Sequence, residues 1–425
     1  MTGWSSLLWA RSLTPKSELT PNTTSNRSKS AYRITTPFCG DRNARPINGR
    51  ISLSGSCVKE AWEPVICRAK SWYRDRMRID TFNAETDWAK LAAAGQQAEA
   101  FGFDGFAIPE IIGDPLIHAA MVVNATERIQ ARTAIAVAFP RSPMVLASQA
   151  WSIQVNSGGR FAMGLGTQVK GHNERRFSTP WKAPRSRMVE YVKALRAIWR
   201  CWELGERLDY QGAHYQFTLM TPEFTPPKSA LPMVPVYLAA VRPKMIESAA
   251  SVADGLRLHG FCTKKYLQEV VWPAVDRGLE SAGRSRSELD VCGGGFIMTG
   301  PDEETVMKNR EWVRYRLAFY GSTPSYLPVM SLHGWDDLAA KLLNMSKTGQ
   351  WKQMAAEIPD DMLDEFCVYA PYEQLPKAIE DRFGGISDTV EFNFEDDTDV
   401  DLAQDVVKRV HKIESRFEAP ANHYA

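Results

Sequence analysis

The 425-residue chain has seven cysteines (Cys39, Cys57, Cys67, Cys201, Cys262, Cys292 and Cys367) and no CxxC pair among them. Neither a zinc knuckle nor a disulfide framework is indicated, and a reducing, cytoplasmic setting fits. Also missing is an apolar run of the roughly 18 residues needed to cross a bilayer. The best early stretch, Leu7-Leu8-Trp9-Ala10, is too short for a signal-peptide core. No GxGxxG follows a strand and opens a helix, so a dinucleotide-binding Rossmann domain is unsupported. The first β-type run reads Met77-Arg78-Ile79-Asp80-Thr81-Phe82, without the His-x-His of a metal-dependent barrel hydrolase, and no metal site is expected. Clustered basic charge is absent too. The net charge of +1 hides 13 Lys+Arg against 5 Asp+Glu in residues 1–76, leaving a mildly acidic remainder of 38 against 45. A nucleic-acid partner would need a basic face that this remainder lacks.

What is present is an ordinary globular composition, 44% hydrophobic and 24% charged, with enough apolar residues for a large core. Residues 1–76 stand apart. Stretches such as Ser17–Ser30 are rich in Ser, Thr, Asn and Lys without a period of 2 or 3.6, so a poorly ordered extension is expected there. It reads either as a transit peptide or as translation assigned from an upstream start, with Met77 near the natural beginning.

From Met77 onward, eight β-type runs alternate with helix-type segments. The runs are Met77–Phe82, Asp104–Ile108, Ala131–Phe139, Arg160–Gly166, Val234–Ala239, Gly255–Gly260, Asp290–Thr299 and Asp388–Phe394. Asp87 is placed to cap a first helix that Gly102 stops, and further helices are expected near 115–127, 143–157, 185–204, 243–253, 264–282, 302–319 and 401–416. Two stretches break the rhythm. Leu208–Leu219 reads as a small hairpin after strand 4. Gly321–Gly385 carries extra helical segments after strand 7 and is a candidate lid or pocket wall. The expected fold is α/β, a single (β/α)8 TIM barrel over residues 77–425 with insertions after strands 4 and 7.

Several motifs resemble the bacterial-luciferase-like superfamily. Phe101-Gly102-Phe103-Asp104-Gly105-Phe106 is similar to its helix-1 to strand-2 joint, and Thr126-Glu127-Arg128-Ile129 to the run that precedes its strand 3. Gly159-Arg160-Phe161-Ala162-Met163-Gly164-Leu165-Gly166-Thr167 resembles its strand 4, and Val236–Ala240 with Ala253-Asp254-Gly255 extends the likeness to most of residues 77–300. Ala138-Phe139-Pro140-Arg141-Ser142-Pro143 and Lys170-Gly171-His172 are similar to members that use the deazaflavin coenzyme F-420. The resemblance implies an oxidoreductase that moves a hydride between a deazaflavin and a small organic substrate. It leaves open an FMN-dependent monooxygenase that needs oxygen and a partner reductase, and a non-catalytic cofactor-binding barrel. By analogy with relatives, a homodimer is also expected.

Ligands of such barrels sit at the C-terminal ends of the strands. Gly164 and Gly166, with Thr167, leave room there for a flat ring or a phosphate; the plainer reading is that they ease a turn. Ala240, Val241 and Arg242 lead into Pro243 and a helix start, whose free amides with the Arg242 guanidinium would receive a cofactor phosphate. Relatives often carry glycines where Val241 and Arg242 stand. The resemblance also implies a non-prolyl cis peptide at the end of strand 3, for which Ala138-Phe139 is the matching step. For acid–base work the first candidate is Glu110 at the end of strand 2, and the second is His172 after strand 4. Relatives that oxidise alcohols tend to place a His just beyond strand 2, where this chain has Ile111 and Ile112, which argues against a simple alcohol dehydrogenase.

Overall fold

The computed structural model describes residues 76–424. The expected extension therefore lies, apart from Arg76, outside the described residues. The strands are Arg78–Phe82 (β1), Gly105–Ile108 (β2), Gln130–Thr133 (β3), Ala136–Val137 (β4), Phe161–Gly166 (β5), Tyr210–Gln211 (β6), Gln216–Phe217 (β7), Val236–Ala239 (β8), Gly255–Arg257 (β9), Asp290–Cys292 (β10), Phe296–Gly300 (β11), Cys367–Pro371 (β12) and Thr389–Glu391 (β13). Parallel pairing runs β3-β2-β1-β13-β10-β9-β8-β5-β4, and β3 also pairs with β5, at Ala131 with Phe161 and Arg132 with Ala162. That last pairing closes the sheet. The result is an eight-position (β/α)8 barrel, with β3 and β4 as successive pieces of one staggered position.

Helix boundaries follow local chemistry. Asp87 accepts from the amides of Ala89 and Lys90 to start the helix Trp88–Phe101, and Gly102, at φ 91°, ends it. Pro115, Pro143, Pro184 and Pro243 each open a helix, where a missing N–H costs nothing. Helices cover the outer face of the sheet. Ile79, Phe106, Phe161, Met163, Leu165, Val236, Leu256, Val291 and Val390 turn outward into the apolar core, each 1% exposed or less.

Two insertions appear where the rhythm breaks. After β5, β6 and β7 form the expected antiparallel hairpin, with Tyr210 opposite Phe217. The seventh β-type run, however, is two strands. Asp290–Cys292 belongs to the barrel, whereas Phe296–Gly300 leaves it and pairs in parallel with Cys367–Pro371 in a separate ladder. Gly293 and Gly294, at φ 77° and 104°, make the break; such values are strained for residues with a side chain. Between β11 and β12 lie the helices Glu303–Gly321, Leu327–Leu332, Asp336–Lys347 and Asp360–Phe366. Among the described residues no helix is long and apolar enough to cross a membrane.

Candidate active site at the barrel mouth

The backbone between β3 and β4 is irregular, and it defines the floor of the mouth. The Ala134–Ile135 peptide is cis. The sequence reading expected that step at Ala138–Phe139, but Ala138 carries on the regular ladder, donating its N–H to the Gly166 carbonyl at 3.0 Å. The two residues that separate β3 from β4 are where the backbone departs from the ladder, and the cis bond sits between them. Thr133 donates its Oγ1 hydroxyl to the Gly164 carbonyl at 2.7 Å, tying this turn to β5.

Gly164 and Gly166 are explained by this turn. A Cβ on Gly164 would stand 2.1 Å from the Thr133 carbonyl oxygen, and one on Gly166 would stand 2.7 Å from Cδ1 of Ile135 and 3.7 Å from Cβ of Ala239. At Gly164 the conflict is with backbone, which excludes a side chain; at Gly166 it is with the end of the Ile135 side chain, which would have to move off the floor. The glycines thus make room for the chain's own Thr133–Ile135 turn. What results is an apolar floor of Ile135 and Ala239 on a bed of glycine backbone.

Glu110 lies beside that floor and is firmly tied. Its Oε2 accepts from the Val137 amide at 2.7 Å and from Arg141 at 2.7 Å, and Arg141 also reaches Asp114 at 2.9 Å. The side chain is 8% exposed. For Glu110 to take a substrate proton through Oε2, two bonds must first yield. Its evident work is to hold the β2 and β4 loops together. His172 stands on the short helix Lys170–Arg175, exposed, where partial burial and the charges of Arg176 and Arg175 push its proton affinity below the usual histidine value. It is neutral at pH 7.

The other sequence candidates divide into two groups. Ala138 and Gly166 are bonded to each other, and Phe139, 4% exposed, packs against Trp181 with ring centres 6.2 Å apart and under the Arg187 guanidinium at 4.3 Å. The Thr167 carbonyl accepts from buried Asn173 at 2.8 Å, which fixes the β5 loop. The Ala240 amide points to the Arg257 carbonyl at 3.4 Å. Further out, the Val241 carbonyl accepts from Tyr266 Oη at 3.2 Å. Arg242 is exposed and donates to the Pro324 carbonyl at 3.3 Å, lining a cleft of about 540 Å³ with Pro243, Lys244, Pro324, Leu327 and Ser331. Its contacts run to the insertion. A second cavity of about 410 Å³, lined by Arg76, Asp104, Gln130 and His411, is at the opposite, N-terminal end of the strands.

Sequence reading missed the inside of the barrel. Parallel register puts Arg78 and Asp80 of β1, Arg132 of β3, Arg257 of β9, Asp290 of β10 and Glu391 of β13 on the inward face. Arg78 pairs with Asp290, which also accepts from Tyr237 Oη at 2.7 Å. Asp80 accepts from Arg132 at 3.1 Å and from Arg257 at 3.3 Å, and Arg257 then reaches Glu391. Gly105 is a glycine because a Cβ there would stand 2.2 Å from Asp80 Oδ1. The column ends at the mouth. The available signal was a charged residue recurring in otherwise apolar β-runs, since buried charge must be paired.

The insertion covers the end of β9 with aromatic rings. His259 has Tyr320 at 4.3 Å and Tyr326 at 4.9 Å, and its Nδ1 accepts from the Phe261 amide at 2.9 Å. Burial, with the nearby Arg316 charge, pushes its pKa down to about 3. A neutral ring whose Nδ1 accepts keeps its proton on Nε2.

The family model for luciferase-like monooxygenases matches residues 75–388. An uncharacterized protein of Mycobacterium tuberculosis is 41% identical over 315 residues, covering 74% of this chain and 92% of that protein. A 5,10-methylenetetrahydromethanopterin reductase of Archaeoglobus fulgidus is 28% identical over 280 residues, covering 64% and 79%. Among solved structures, the coenzyme F-420 dependent tetrahydromethanopterin reductase of Methanopyrus kandleri superposes with a TM-score of 0.64 at 18% identity, covering 79% of this chain and 98% of that one. EDTA monooxygenase of Chelativorans superposes with a TM-score of 0.58 at 14% identity, covering 82% and 97%; both structural likenesses concern the fold. With three quarters of its length matched, this chain belongs to the luciferase-like monooxygenase family.

Proposed function

We propose that the protein is a deazaflavin-dependent oxidoreductase that moves a hydride between coenzyme F-420 and a small organic substrate at the C-terminal mouth of the barrel. The observation that carries this reading is the floor itself: Ile135 over glycine backbone and beside Ala239. It is apolar, as the face of a ring system requires, and Glu110 stands at its margin, its amide donating to the Ile135 carbonyl at 3.3 Å. A relative named as a putative coenzyme F-420-dependent oxidoreductase, 24% identical, and one named as an F-420-dependent glucose-6-phosphate dehydrogenase, 27% identical, support the choice of coenzyme. A deazaflavin supplies two-electron hydride chemistry, and the protein's share is binding, orientation and exclusion of water.

Each element of the mouth has a part in that share. Ile135, Ala138 and Phe139 give one wall, fixed through the Ala138–Gly166 bond and the packing of Phe139 against Trp181 and Arg187. Glu110 and Arg141 set the position of the β2 and β4 loops. Thr167 and Ala240 border the floor on the next two strands. Arg242, with the Lys244 amide at the start of the helix Pro243–Val252, receives the coenzyme's phosphate, and His172 stands at the rim with its proton affinity lowered. The substrate enters from the side of the insertion.

The test is equilibrium binding of F-420 and of FMN to the purified protein, followed by fluorescence and checked by mass spectrometry of any coenzyme that co-purifies. Micromolar or tighter binding of F-420, with FMN much weaker, is expected. Retention of FMN alone would overturn the choice and favour an oxygen-using monooxygenase with a partner reductase.

A further inference from the structure

The column inside the barrel holds three guanidinium groups, Arg78, Arg132 and Arg257, against three carboxyl groups, Asp80, Asp290 and Glu391. Its carboxyls are unequal. The Asp80 and Asp290 side chains have no exposed surface, whereas Glu391 is 34% exposed at the last position of β13. A proton arriving from the mouth thus has one carboxyl of the column within reach. Successive neighbours link it to the floor: Ile135 meets Gly166, Gly166 faces Ala239, Ala239 pairs in register with Arg257, and Arg257 holds Glu391.

We propose that Glu391, seated on Arg257, is the residue that exchanges a proton with the substrate's heteroatom while the hydride is transferred. The inference rests on the reading under Proposed function and deepens it. In the oxidative direction, the substrate's C–H bond breaks and its electron pair leaves with the hydride to the deazaflavin. The O–H bond breaks and its proton passes to the Glu391 carboxylate as the C=O bond forms. The substrate is oxidised by two electrons, the coenzyme is reduced by two, and the carboxyl holds the remaining proton.

The surroundings suit a carboxyl that both takes and releases a proton near neutrality. Burial raises the proton affinity of Glu391 above the ordinary glutamate value; the Arg257 charge opposes this and the Asp80 carboxylate adds to it. Arg132 on β3 also faces it, and Cys292 on β10, held as a thiol by its own burial, adds no charge beside Arg257. Glu110 is differently placed, since its Oε2 is committed to Val137 and Arg141. A protonated Glu391 leaves the column with one positive charge at the mouth, which favours return of the proton once product has gone.

The experiment compares the wild type with E391Q and E391D, each checked for folding by circular dichroism. Infrared difference spectra of the coenzyme-free protein should show a carboxyl band that titrates above the ordinary glutamate range and is missing in E391Q. A titration identical in both proteins overturns the proposal. With F-420 bound, E391Q should retain affinity within about threefold but lose roughly 100-fold in single-turnover rate, along with the pH limb, across a panel of alcohols and amines and, with reduced coenzyme, of carbonyl and imine compounds, a loss typical of a removed acid–base group; a wild type that binds F-420 and turns over none of them overturns the proposal. E391D should restore part of the rate on a shifted limb. If E391Q does not fold, E391D carries the test, and an unshifted limb overturns the proposal. Failure of the wild type to bind F-420 would sink the coenzyme assignment and the proton exchange proposed with it, while the infrared band would still report whether Glu391 titrates. Binding and turnover in the wild type, with rate and limb unchanged in E391Q, would sink the inference and leave the function standing.

Discussion

The two faces of the same eight strand positions are held together in opposite ways. Outward, Ile79, Phe106, Phe161, Leu256 and Val390 bury apolar area against the helices, which stabilises in proportion to the surface removed from water. Inward, the neighbours of those residues are Arg78, Asp80, Arg257 and Glu391, which gain only where each charge meets its counter-charge. The outer layer tolerates imperfection gradually. The inner column does not, because removing one partner abandons a buried charge whose desolvation has already been incurred.

That contrast is broken most directly at Asp290. Replacing it with Ala removes the carboxylate that neutralises Arg78, and should cost about 3–5 kcal/mol in urea unfolding. The double change Arg78→Met with Asp290→Leu should recover most of this, and a double variant as unstable as the single would contradict the paired-charge account. Leu256→Ala, outward on β9, should cost about 3 kcal/mol by transfer and cavity terms, with no rescue from any charge change.

Acid sharpens the comparison next. Burial works to raise the proton affinity of Asp104, but the bond and charge of His411, the charge of Arg76 and the Ile79 amide win, so the folded carboxyl lies below its usual 3.8. A depressed carboxyl contributes stability that is complete above the unfolded value and drains as pH falls through the folded one. Urea midpoints between pH 5 and pH 2 should therefore fall less steeply in Asp104→Asn than in the wild type. The smallest effect belongs to neither layer: Asp87→Ala removes a helix cap and should cost about 1 kcal/mol by thermal unfolding, with the inner column untouched.

The sequence was most readable where period and punctuation agree. The helix from Trp88 to Phe101 was legible from its Asp87 cap and Gly102 stop, and the hairpin at Tyr210–Phe217 from its turn residues. The strand expected over Asp290–Thr299 was misread as continuous although Gly293-Gly294-Gly295 stood at its centre, because an apolar run on either side of glycine does not say whether the chain resumes in the same sheet. The cis step was placed four residues late, at Ala138–Phe139, since peptide geometry depends on the backbone around it and leaves little mark on residue identity. In the site, Glu110 was rightly put at the end of β2, yet its tie to Arg141 links residues 31 apart in sequence. Arg257 and Glu391 are 134 apart, and only closure of the barrel brings them together.

The small ladder of β11 on β12 has a consequence for how such a barrel changes over generations. The 66 residues from Pro301 to Phe366 leave and return through two strands that lie side by side, roughly 4.8 Å apart. Because the strands are parallel, Gly300 pairs with Pro371 and Cys367 with Phe296, so the segment has only to return along a ladder about 13 Å long. The segment behaves as an exchangeable cassette: its length and contents can drift at little entropic cost to the barrel, because each doubling of a flexible loop adds only about 0.6 kcal/mol. Selection can thus retune what enters the mouth while the strands that carry the chemistry stay where they are.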